Sequence, residues 1–157
     1  MAATLLLGLT GFIAGCGGGG GGAAVAALQF SIAANGSLTP LATSTLPTGG
    51  NPRYITLFTL AGNDYYYAPN SASNAVYQFS AGTGGSLTAS GTTTLAAGSA
   101  PNFVAFDATG QYAYVADRGT SLISQYSVGA LGALTPLSTP TATPGTNPTA
   151  IATSTAY

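Results

Sequence analysis

In this chain of 157 residues only 3% are charged, against about a quarter in an ordinary soluble domain, so solubility rests on hydroxyls and backbone rather than ions. A formal net charge of -1, with two Arg and no Lys, leaves no basic footprint for DNA, RNA or an anionic membrane surface, which excludes nucleic acid as a partner. High Gly and Pro with low charge would also suit a disordered chain, but the hydrophobic fraction of 46%, with nine Tyr and six Phe, excludes a chain unable to bury a core, and the expectation is a folded all-β protein.

The chain opens with an apolar run, Leu5 to Ile13. It is too short to span a bilayer, which takes about 20 apolar residues, and its length and small-residue ending suit a secretory h-region. Ile13-Ala14-Gly15-Cys16 resembles a bacterial lipobox. The resemblance implies a signal segment over 1–16, lipid modification of Cys16, and a membrane-anchored protein in the periplasm or on the cell surface. A lone thiol buried at the end of an apolar segment is the alternative. Met1-Ala2-Ala3-Thr4 lacks the Lys or Arg of a usual signal n-region, which fits a start further upstream. Residues 17–23, almost all Gly, read as a flexible linker between anchor and fold.

From about residue 24 the chain repeats. Gln29-Phe30-Ser31 returns as Gln78-Phe79-Ser80 and Gln125-Tyr126-Ser127, at offsets of 49 and 47. The same offsets connect Gly36, Gly85 and Gly132; Leu38, Leu87 and Leu134; and Pro52, Pro101 and Pro148. Repeats therefore run over about 24–50, 51–98, 99–146 and 147–157.

Turn chemistry divides the clearest copy into four strands. Phe103 to Phe106 is closed by Asp107-Ala108-Thr109-Gly110, and Tyr112 to Ala116 by Asp117-Arg118-Gly119-Thr120. Leu122 to Val128 is followed by Gly129 and Gly132, and Leu134 to about Thr139 by Pro144-Gly145-Thr146-Asn147-Pro148. Four short strands in about 45 residues make one blade of a β-propeller. Inner strands covered on both faces explain the continuous apolar runs FVAF and YAYVA. In Gly132-Ala133-Leu134-Thr135-Pro136-Leu137 the proline sits on the outermost strand, as does Pro40. There it breaks no ladder and blocks pairing with another chain.

Tyr114-Val115-Ala116-Asp117, Leu122-Ile123-Ser124-Gln125-Tyr126 and the Gly132–Leu137 segment resemble the lactonase-type seven-bladed β-propellers, similar to 6-phosphogluconolactonase-like proteins and Tyr-Val-Thr-Asn surface-layer repeats. Tyr67-Ala68-Pro69-Asn70 with Ala75-Val76-Tyr77-Gln78-Phe79 is a looser copy, and the likeness covers about Val25 to the end. It implies an incomplete propeller of fewer than three blades. The chain enters at the third and fourth strands of one blade, holds two whole blades from Asn51 to Gly145, and stops in the first hairpin of the next. Closure takes at least about four blades, so the remaining blades or other chains are needed to complete a ring.

The chemical inventory is narrow. With no His, no Glu, no Lys and one Cys, a Ser-His-Asp triad and a His or Cys metal site are impossible. Asp107-Ala108-Thr109-Gly110 has too few carboxylates for Ca2+, and no cofactor is expected. General acid-base work is left to Asp64, Asp107, Asp117 or tyrosines. Relatives suspected of lactone chemistry are thought to use His, Glu and Arg at the channel mouth, and two of those three types are absent. Blade topology places Arg53, Arg118 and Asp117 on one face, and Asp64 and Asp107 on the other. Arg53 and Arg118, with Asp117, are candidates to receive an anionic sugar-like molecule through charge-assisted hydrogen bonds. The alternative is a solvated loop pair without a ligand. Tyr65-Tyr66-Tyr67 reads as core, or as a stacking platform for sugars. Three functions stay open: an exported, lipid-anchored, non-catalytic binding or scaffold module, whose partner is an anionic sugar-like molecule or a surface protein; a lactone hydrolase with its catalytic residues in downstream blades; and a structural or adhesive surface repeat.

Overall fold

The computed structural model describes residues 9–13, 27–32, 35–46, 48, 52–82, 86–96 and 98–154. Among them lie eleven strands in three antiparallel sheets. The first sheet is β1 (Leu9–Ile13), β2 (Ala27–Ile32) and β3 (Leu38–Leu46). Blade A is β4 (Thr56–Leu60), β5 (Asn63–Asn70), β6 (Ala75–Ala81) and β7 (Leu87–Thr94). Blade B is β8 (Pro101–Phe106), β9 (Tyr112–Asp117), β10 (Leu122–Val128) and β11 (Leu134–Ala142).

Each blade pairs its strands in chain order, as turn chemistry requires. Ala61 and Gly62, both with positive φ (50° and 79°), make the two-residue turn between β4 and β5. Asp107 and Gly110 close the corresponding turn of blade B, the Gly110 N–H donating to the Asp107 carbonyl at 3.1 Å. Pro40 and Pro136 lie on β3 and β11, the end strands of their sheets, as expected. The first sheet holds one strand more than the sequence suggested. Leu9–Ile13, within the apolar run read as a signal, pairs with β2 so that Phe12 stands opposite Gln29 as Tyr67 stands opposite Gln78. β1 therefore occupies the second-strand position of a blade. Cys16 and residues 17–23 lie outside the described residues.

The core sits between blades A and B. Tyr65, Tyr67 and Val76 of blade A pack against Val104, Ala113, Val115 and Tyr126 of blade B. Phe58 stacks on Phe106 at 4.1 Å between centroids, and Tyr67 meets the same ring at 4.7 Å. Strand alternation sends Tyr66 to the opposite side of blade A with Ala68, Phe79 and Leu87. All three tyrosines are buried, which makes them core and rules out a sugar platform.

Every third-to-fourth strand ladder is interrupted at one repeat position. The register shifts between Leu28 and Phe30, between Gln78 and Phe79, and between Ser124 and Tyr126. These are the glutamines of the recurring Gln-Phe/Tyr-Ser triplet. A bulge re-aims a side chain out of the regular pleat. Gln29 uses it to accept from the Leu87 N–H of blade A at 2.8 Å, and Gln78 to donate to the Leu131 carbonyl of blade B at 2.7 Å. Gln29 thus latches its sheet to the first residue of the outermost strand of blade A, and Gln78 latches blade A to the turn before the outermost strand of blade B.

Candidate functional site

Both arginines lie at one end of the blades. Arg53 follows Pro52, which bridges to Asn70 at the far end of β5, and its backbone N–H donates to the Pro69 carbonyl at 3.2 Å. It therefore marks the entry to the innermost strand of blade A. Arg118 opens the turn after β9, and Asp117 pairs with Pro101 at the entry to β8, so the repeat puts this turn at the same end of blade B. Both side chains are exposed, and among the described residues no ion pair engages them. The repeat partner of Arg53 is Asn102, whose side-chain amide donates to the Thr149 carbonyl at 2.8 Å.

Tyr54, beside Arg53, was not singled out by sequence reasoning. It is 51% exposed and meets Phe103 edge-on at 5.5 Å, joining the entries of the two inner strands. Its signal was available: Tyr54 and Phe103 are separated by the repeat offset of 49 and both follow the recurring proline by two residues. This end of the two blades thus presents two exposed cations and one exposed aromatic ring, groups of the kinds that receive an anion and an apolar sugar face.

Asp117 is separated from the arginines by burial. Only 2% exposed, it shares a side of β9 with Ala113 and Val115, which face blade A. One carboxylate oxygen accepts from the Ser124 hydroxyl; the other, Oδ1, is buried without a hydrogen-bond partner. Burial raises its pKa to about 6, with the Ser124 hydrogen bond pulling the other way. Burial also raises Tyr126; Ser124 lowers it by a hydrogen bond and the Asp117 charge raises it further. Asp117 holds the place that Asn70 holds in blade A. There both ends of the amide are engaged: Oδ1 accepts from Ala72 N at 2.9 Å and Ser73 N at 3.1 Å, and Nδ2 donates to the Thr48 carbonyl. A carboxylate has no N–H to reproduce the last bond.

Asp64 and Asp107 lie at the opposite end, as the topology predicts. Asp64 accepts from the Thr59 hydroxyl at 2.6 Å across the β4–β5 hairpin. Asp107 organises its turn, accepting from Tyr112 N at 2.8 Å and Thr109 N at 3.1 Å and from the Thr109 hydroxyl. Burial would push its carboxyl up, but these hydrogen bonds outweigh it and hold the pKa below the usual value. Its role is that of a turn residue.

Four-stranded antiparallel blades, stacked face to face and wound from the innermost strand outwards, define a stretch of β-propeller. The family model that matches is the lactonase, 7-bladed beta-propeller, over residues 12–155, and the chain belongs to that family. Among solved structures, a protein from Lactobacillus plantarum is 26% identical over 75% of this chain and 36% of its own, with a TM-score of 0.62. A provisionally named 6-phosphogluconolactonase from Bacteroides fragilis is 20% identical over 77% of this chain and 38% of its own, at 0.60. The periplasmic gluconolactonase of Pseudomonas aeruginosa is 20% identical over 69% and 31%, at 0.55. The chain thus spans about a third of the length of the solved structures it resembles. No curated protein matches it.

Proposed function

We propose that these blades bind a carbohydrate-derived anion of the sugar-acid class at the end bearing Arg53, Tyr54 and Arg118, as a binding module without catalysis of its own. One observation carries this reading: the only two cationic side chains of the chain lie exposed, without ion-pair partners among the described residues, at the same end of adjacent blades. The names of the Bacteroides and Pseudomonas neighbours support the ligand class, since lactonases of that description act on lactones of sugar acids. Charge-assisted hydrogen bonds contribute about 1.5–3 kcal/mol each, so each arginine is worth about tenfold or more in affinity. Titration calorimetry with gluconate tests this. Arg53→Ala and Arg118→Ala together should abolish the binding heat with unchanged far-ultraviolet dichroism; equal affinity in the double variant removes the site.

Export with lipid attachment at Cys16 is a companion proposal, supported by the lipobox-like Ile13-Ala14-Gly15-Cys16. It makes a structural demand: cleavage before Cys16 removes β1 from the first sheet.

A further inference from the structure

The outermost strand of blade B leaves its ladder by more than blade A's does. Ser124 pairs with Thr141 and Tyr126 with Pro136, so the single residue Gln125 faces four, Leu137 to Pro140. In blade A only Ser90 is left over at that place, between Gly91 opposite Gln78 and Ala89 opposite Phe79. An extra residue bends a strand out of its pleat, and four lift a short loop out of the edge. Gln125 holds the base of that loop by donating to the Thr139 carbonyl at 3.1 Å, while Ser138, Thr139 and Pro140 are exposed.

The loop opens the run Thr139-Pro140-Thr141-Ala142-Thr143-Pro144, which carries no charge and is exposed at all six residues. This exposure does not depend on what stands beside blade B. By the repeat offset of 47 the partners of Thr139, Thr141 and Thr143 are Thr92, Thr94 and Ala96. All three are exposed in blade A, although that blade has the first sheet on one side and blade B on the other. The outer edge therefore stays open to solvent within a stack of blades.

The three hydroxyls are also unused. Among the described residues Thr139, Thr141 and Thr143 make no side-chain hydrogen bond. Elsewhere the threonines work for the fold: Thr56 and Thr153 donate to the Val104 and Phe106 carbonyls, and Thr59 and Thr109 to aspartates. Pro140 and Pro144 keep the residues before them, Thr139 and Thr143, out of helical conformation, so these hydroxyls stand on extended backbone.

Threonine interleaved with proline is the composition of segments that carry O-linked sugars. A phosphate would find no cation along the run, because no Arg or Lys lies between Arg118 and Tyr157. Neutral sugars suit the surface better. With a net charge of -1 and 3% charged residues, charge repulsion does little to keep copies apart. Sugars supply bulk and hydration, and here they would stand on an edge strand, where another chain could otherwise pair.

We propose that Thr139, Thr141 and Thr143 are O-glycosylation sites, acceptors for a neutral hexose or N-acetylhexosamine carried on a nucleoside or lipid diphosphate. The Thr Oγ1 forms a bond to the anomeric carbon and the bond from that carbon to the phosphate oxygen breaks. The hydroxyl proton passes to a base of the transferase, and the diphosphate leaves with the electron pair. The sites lie on the outer edge of blade B, so the sugars leave the core between blades A and B untouched.

Trypsin cuts this sequence only after Arg53 and Arg118, which places the whole run in the peptide that starts at Gly119. In protein purified from its host, mass spectrometry should find that peptide heavier by whole hexose or N-acetylhexosamine residues. Mild alkali should remove them by β-elimination and mark Thr139, Thr141 and Thr143 as their carriers. The triple variant Thr139→Ala, Thr141→Ala, Thr143→Ala should keep the wild-type dichroism and melting temperature and lose the added mass. A peptide of unmodified mass, an addition of phosphate, or sugar retained by the triple variant would each overturn the proposal.

Discussion

Replacing Asp117 by Asn should stabilise the protein above pH 6 and remove a slope in its pH dependence. The Asp117 carboxyl is raised from 3.8 to about 6 on folding, because it is buried at the interface of blades A and B with one oxygen unpartnered. Its folded pKa lies above its unfolded one, so between these values the native state holds the extra proton. Stability from this group is greatest below about pH 4, falls as pH rises, and levels off above about 6. The difference corresponds to about 3 kcal/mol at most. The chain has no His and no Glu to obscure the window, and Asp107, whose pKa is lowered, contributes in the opposite sense and only below its unfolded value. Asn carries no charge at any pH and supplies the N–H that Asn70 uses in blade A. Urea unfolding of both proteins from pH 4 to pH 8 provides the assay. The wild type should lose stability across the window while Asp117→Asn stays flat there and exceeds it at pH 8. Parallel curves, or a variant weaker than wild type at pH 8, would refute the burial argument.

Two further outcomes are expected. Gly132→Ala should cost about 2–4 kcal/mol, since φ of +75° is joined by a contact with the Tyr67 hydroxyl, whereas Gly36→Ala, at +83° with open space, should cost about 1 kcal/mol; equal melting temperatures for the two would remove the interblade contact as the cause. Intact mass and N-terminal sequencing of the protein from its host should separate the two readings of its beginning: a lipid-modified Cys16 at the N-terminus means β1 is lost on export, and retention of Leu9–Ile13 means it is part of the first sheet.

The architecture was largely legible because its determinants are local. In blade B the expected strands Phe103–Phe106, Tyr112–Ala116, Leu122–Val128 and Leu134 to about Thr139 recur with extensions at their ends, since Asp-x-x-Gly and paired glycines fix where hairpins turn. β1 escaped the repeat because its distance is different. Phe12 and Tyr67 are equivalent in their ladders yet 55 residues apart, where the repeat offset is 49, so a comparison at constant spacing passes over it. The recurring glutamines were visible as letters, but their reach into the next blade depends on a bulge that strand alternation does not encode.

The site was legible to the extent that it depends on connectivity and no further. Knowing that the turn after the second strand and the entry to the first share one end of a blade is enough to bring Arg53 and Arg118 to the same face. The fate of Asp117 turns instead on where β9 stops. Ending the strand at Ala116 leaves Asp117 in the turn beside Arg118, a surface carboxylate available to a ligand. The ladder in fact continues through Asp117, which pairs with Pro101 on one side and Leu122 on the other. In a pleated strand that single residue assigns the side chain to the face already occupied by Ala113 and Val115, against blade A. Desolvation and the raised pKa follow from that placement. One residue of strand length therefore turns a candidate ligand-binding carboxylate into an acid enclosed between blades, and leaves the exposed side-chain charge on this face, among the described residues, positive.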